Sequence, residues 1–184
     1  MAMVLHQAHY FSYCYAMPLL LARADLGNTP LVGFWFACGW VSYLSAEAVW
    51  HCYPPRTVFV VGHIGLVPLL GLLSYLSDVS LGVLLLWVLS GLGGGTVYSL
   101  ALVQKANRHS HERLEQAEDI GHIVGVITAL AGVLLLHLNE AVLPMIGSIL
   151  AAFAAMTVFI FVPARRNACT RVQSTAAGGK NAGE

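Results

Sequence analysis

Four side chains near the amino end have types and spacing suited to chemistry. His6, Tyr10, Tyr13 and Met17 recur at intervals of four, three and four within "VLHQAHYFSYCYAMPLLL". On a helix that spacing sets all four on one face. Each carries a polar or polarisable group, so the stripe is a candidate binding wall for a small organic solute. The segment around it is apolar enough to enter a lipid bilayer, and two readings of its polar face stay open. One is a cavity wall, because a polar group turned to lipid without a partner is costly. The other is an interfacial belt, because tyrosine favours the depth of the headgroups.

A second set consists of ionisable groups in or beside apolar runs: His9, Glu47, His51, His63 and His122. Such groups inside a membrane are functional candidates, and histidine exchanges protons near neutral pH. They form a candidate proton-coupling or gating set. The competing reading makes them satisfied histidines near the membrane surface.

Other chemistries find less support. "HQAH", His6 to His9, is an i, i+3 pair, but a metal site needs three or four ligands. No second HxxH or paired cysteine supplies them in the sequence, so neither metal nor haem is expected and no cofactor is assigned. Neither GxSxG nor a nucleophile beside a base occurs, "LSGLG" reads as a packing segment, and no enzymatic activity is expected. Few basic residues and no basic stripe leave nucleic-acid binding without support.

The elements that must position these residues follow from composition. The chain has 184 residues, 58% hydrophobic and only 10% charged, against about 25% charged in a soluble domain. A membrane-crossing helix takes roughly 20 apolar residues, and six such runs fit, at about 3–22, 30–49, 57–76, 80–103, 119–138 and 142–162. The fold class is therefore all-α and integral to the membrane. Residues 1–163 are expected to form one six-helix bundle, and 164–184, ending "STAAGGKNAGE", a disordered cytoplasmic tail.

Orientation follows from the basic residues. Arg56, Lys105, Arg108, Arg113, Arg165, Arg166, Arg171 and Lys180 follow even-numbered spans, and Arg23 alone follows an odd one. Eight against one places both termini in the cytoplasm, in a multi-pass protein of the cell (plasma or inner) membrane. Cys14 and Cys38 then lie within spans, Cys52 and Cys169 face the cytosol, and all four are read as free thiols. The link "QKANRHSHERLEQAED" is helix-prone, and a short cytosolic helix is expected there. Small residues at Gly91, Gly93, Gly94 and Gly95 in span four, and Gly121 and Gly125 in span five, should let helices approach closely. Three consecutive glycines should also weaken span four locally.

Six spans with both ends inside, a basic turn after span two, a charged link after span four and a basic end to span six together resemble one half of a major facilitator superfamily transporter. "GLGGG", with Gly91, Gly93 and Gly95, is similar to that family's G-x-G segment. The resemblance covers nearly the whole chain but half of the family's usual twelve helices. Aligned on Arg56, the family's signature after span two has Glu47 in place of its first glycine, His51 in place of its aspartate and Pro54 in place of its second glycine. Trp87 stands where an arginine is common in span four, and Gly125-Val126 where many antiporters have Gly-Pro.

The resemblance implies two three-helix repeats of inverted topology and a mid-membrane solute site facing a second bundle. In its layout span three is peripheral, which weighs against a central role for His63. The function expected is a half-size secondary transporter of a small organic solute. It would act as a homodimer or with a second six-helix half, meeting through the glycine faces of spans four and five or the polar face of span one. The alternative is a non-transporting membrane scaffold or assembly factor that retains the fold.

Overall fold

The computed structural model describes residues 1–14, 29–75, 81–105, 111–136 and 142–163. The described secondary structure is entirely helical: α1 (Ala2–Cys14), α2 (Thr29–Trp50), α3 (Pro55–Leu73), α4 (Leu81–Gly94), a 3-10 turn (Gly95–Val97), α5 (Tyr98–Lys105), α6 (His111–Leu136) and α7 (Val142–Phe161). Because α4 and α5 continue through the 3-10 turn, they form one rod, and among the described residues each of the six apolar runs carries one rod. Three stretches, Pro55–Leu73, Leu81–Leu100 and Val142–Phe161, are long and apolar enough to cross a membrane. Their outward residues, among them Val61, Ile64, Leu85, Ile149 and Phe153, are exposed and apolar. That surface suits lipid, and the chain is a membrane protein.

Local sequence explains the helix ends. Pro55 occupies the first turn of α3, where its missing N–H is no loss. The buried residues of α3 are Val58, Phe59, Gly62, His63, Leu66, Leu70 and Leu73, spaced at three and four so that they share one face. His63 is thus turned inward by the same periodicity that turns its apolar neighbours inward. In the fourth rod the turn at Gly95–Val97 directly follows Gly93 and Gly94, where the backbone has least side-chain restraint.

The rods pack in a defined pattern. α1 lies against α6 and α7, α7 also against α3, α3 against α4, and α4 against α2. Glycines make the closest approaches. A Cβ at Gly91 would meet the Gly39 carbonyl at 2.5 Å, and one at Gly95 would run into the Tyr43 carbonyl of α2. Gly93 faces Gly62 of α3, while Gly121 and Gly125 of α6 face Gln7 and Phe11 of α1; Gly94 is buried. The glycine faces are therefore occupied within the chain. The self-association expected through them meets helices already packed there, because small residues draw in whichever neighbour offers a matching backbone.

Polar contacts tie the rods at fixed points. Trp87 donates its indole N–H to the Trp35 carbonyl at 2.8 Å, its ring lying against Gly39, where a Cβ would collide with it. Ser148 of α7 donates to the Val67 carbonyl of α3 at 2.9 Å. Arg56 donates to the Phe159 carbonyl at 2.6 Å, with its guanidinium 4.9 Å from the centre of the Phe159 ring.

One expected element differs. The charged stretch from His111 to Asp119 is helical but continuous with the fifth apolar run, in a single helix of 26 residues. "ERLEQAED" consists of good helix formers with no proline or glycine to stop the helix before Gly121.

Candidate functional site

The site is built where α1, α2 and α3 turn polar side chains into the bundle. α1 has no glycine or proline from Ala2 to Cys14, so its helical register is unbroken and His6, His9 and Tyr10 occupy one side. Across from them, α3 presents His63. His6, His9 and His63 are each 0% exposed, in a molecule whose other large buried side chains are mostly aliphatic or aromatic.

Hydrogen bonding orders the cluster. The His63 Nδ1 lies 3.0 Å from the Phe59 carbonyl one turn earlier in α3. A carbonyl only accepts, so Nδ1 carries the proton, and Nε2 of the neutral ring has a lone pair. That Nε2 is 2.9 Å from His6 Nδ1, which must then donate to it. His6 Nε2 is left to accept from the Tyr43 hydroxyl, a long contact at 3.4 Å. Tyr43, His6, His63 and the Phe59 carbonyl thus form a directed relay across three helices. Thr96 Oγ1, donating to the Gly93 carbonyl at 2.6 Å, sits 3.4 Å from His63 Nδ1.

Rings enclose the relay. Phe59 stacks on His63 with centroids 3.8 Å apart. His9 meets His6 edge-on at 4.9 Å and His63 at 5.3 Å. Tyr10 stacks on His6 at 6.1 Å and contacts Tyr43 at 5.0 Å and Trp40 at 5.8 Å. One nitrogen from each of His6, His9 and His63 lies within 4.8 Å of those of the other two. Three imidazoles gathered this closely can pass protons or hold a metal ion.

The two expected sets are redistributed. Of the solute stripe, His6 and Tyr10 are buried inside the bundle. Tyr13 lies on α1, and Met17 lies outside the described residues. Of the proton set, His9 and His63 join His6, all three buried within the bundle. Glu47 and His51 are exposed near the end of α2. There His51 Nδ1 donates to the Ala48 carbonyl at 2.8 Å, with Nε2 3.1 Å from Cys52 Sγ. His122, half-buried on α6, meets the Phe11 ring at 5.5 Å, and the three-histidine group does not include it.

Tyr43, Trp40 and Phe59 join the site without having been among the residues expected there. Phe36, Trp40 and Tyr43 are spaced at four and three on α2, an aromatic stripe that marks an inward or interface-facing side, and Phe59 precedes His63 by one turn. The expectation that no metal binds rested on the want of a third ligand, which His63 supplies. Comparison of the chain with protein-family models, curated proteins and solved structures finds no match.

Proposed function

We propose that the chain is one six-helix half of a major-facilitator-type secondary transporter. It spans the cell membrane six times with both termini in the cytoplasm and moves a small organic solute together with a second half. The observation that carries this reading is the symmetry of the helix pairing. Numbering the rods one to six, the extensive pairs are one with five, one with six, two with four, three with four and three with six. Exchanging rods one, two and three for four, five and six sends one–five to four–two, one–six to four–three and three–six to itself. The set is unchanged. Two three-helix units with that exchange symmetry are what an internal repeat produces, and three spans per unit, an odd number, require the second to be inverted in the membrane.

In this reading the histidine cluster is an internal proton relay or gate within the half. His6 and Tyr10 are enclosed, so the solute would meet other surfaces, between this half and its partner. The same enclosure favours a second reading, a non-transporting membrane scaffold, because the polar side of span one offers no open wall to a solute.

The two are separated by purifying the full chain, with any chain that accompanies it, from its native membrane and reconstituting it in vesicles. Uptake is then measured across a panel of amino acids, sugars and organic acids. Transport predicts a mass equal to two six-helix halves and saturable uptake of at least one solute class. A monomer, or an assembly with no uptake of any member of the panel, would leave the scaffold as the function.

A further inference from the structure

We propose that His6, His9 and His63 form a binding site for a divalent first-row transition-metal ion of the zinc class. The inference concerns the cluster described above but does not depend on transport. Its basis is ligand number, orientation and surroundings. Three imidazoles from two helices bring one nitrogen each to within 4.8 Å of one another. Bound to zinc at about 2.0–2.1 Å in a tetrahedron, imidazole nitrogens stand about 3.4 Å apart. The His6–His63 pair, now at 2.9 Å, has only to open slightly and His9 to close in, movements within the reach of side-chain torsions.

Orientation is already set for one ligand. The His63 Nδ1–H is held by the Phe59 carbonyl, which leaves Nε2 as the coordinating atom. A ring N–H anchored on a backbone carbonyl is the usual outer contact of a metal-bound histidine. His6 would coordinate through Nδ1 after its proton moves to Nε2, where the Tyr43 oxygen at 3.4 Å can accept instead of donate. The proton count of the ring is unchanged by that shift.

The donor set also fixes the ion's class. Three neutral nitrogens suit zinc, cobalt, nickel or copper rather than calcium or magnesium, which take oxygen ligands. Three protein ligands leave a fourth position, and since imidazoles bring no negative charge, an anion there would offset the cost of a doubly charged ion in an apolar bundle.

The test is titration of the tag-free full chain in detergent with Co2+, followed by displacement with Zn2+. One ion per chain is expected, with the intense visible absorption of four-coordinate cobalt. His6→Gln and His63→Gln should each weaken binding at least tenfold. His51→Gln, at the exposed His51–Cys52 pair, should leave it unchanged. Should the cluster variants fail to fold, X-ray absorption of the zinc-loaded native chain decides. Three imidazoles in the first shell support the site, whereas a sulfur ligand or an oxygen-only shell overturns it. No stoichiometric binding by the native chain also overturns it. Binding without uptake would leave this site standing and count against transport; uptake without binding would do the reverse.

Discussion

His6 Nδ1 and His63 Nε2 lie 2.9 Å apart although 57 residues separate them in the chain. Both rings are fully buried, so each is the other's substitute for water. Removing one leaves a polar nitrogen stranded in an apolar bundle, at a cost of about 1–3 kcal/mol. His63→Leu should therefore lower the unfolding temperature in detergent measurably. The double variant His6→Phe, His63→Leu should cost less than the sum of the single changes, by more than about 0.5 kcal/mol. Simple additivity would mean that the two rings do not interact.

Tyr43 separates a stability role from a ligand-tuning one. Its hydroxyl is 3.4 Å from His6 Nε2, so Tyr43→Phe should cost under about 1 kcal/mol of stability. If His6 binds an ion, losing this outer contact should weaken Co2+ affinity by about 10-fold or more. Unchanged affinity in a folded Tyr43→Phe protein would exclude the hydroxyl from the site.

Two glycine-to-alanine changes should act in opposite directions. At Gly95 a Cβ would run into the Tyr43 carbonyl and the Ala46 Cβ, and since backbone cannot step aside cheaply, Gly95→Ala should destabilise by about 1–3 kcal/mol. At Gly65 nothing lies within 4 Å of the added atom. There the gain in helix propensity should make the change neutral or favourable by up to about 1 kcal/mol. Thermal unfolding of the two variants side by side checks this, and equal effects would refute the close approach of the 3-10 turn to α2.

Arg56 closes the α3–α7 contact through the Phe159 carbonyl and ring. The side chain is half-exposed, so solvent screens part of the interaction. Arg56→Ala is expected to cost about 1 kcal/mol, and Arg56→Lys, which keeps the charge but loses the planar fork, less than that. A wild-type unfolding temperature in Arg56→Ala would show the contact to be without weight.

The eight-to-one distribution of basic residues predicts that residues 1 and 184 lie on the same, cytoplasmic side. Tags at the two ends should be reached by a membrane-impermeant reagent only after the cell membrane is opened. Labelling of either tag in intact cells would overturn the orientation.

Composition and hydropathy by themselves determined that this chain is helical and lives in a membrane, since a bilayer admits few other backbones and requires long apolar runs. The periodicity of α1 likewise determined that His6, His9 and Tyr10 share a side. Sequence spacing could not say what that side faces. Tertiary packing brings His63 against His6, because α7 holds both α1 and α3 and thereby fixes how far two distant histidines are from each other. The same packing set Gly91 and Gly95 against α2, and joined "ERLEQAED" to the fifth apolar run in one helix. Residue types set which contacts are affordable; only the arrangement of the six rods selects which pairs meet.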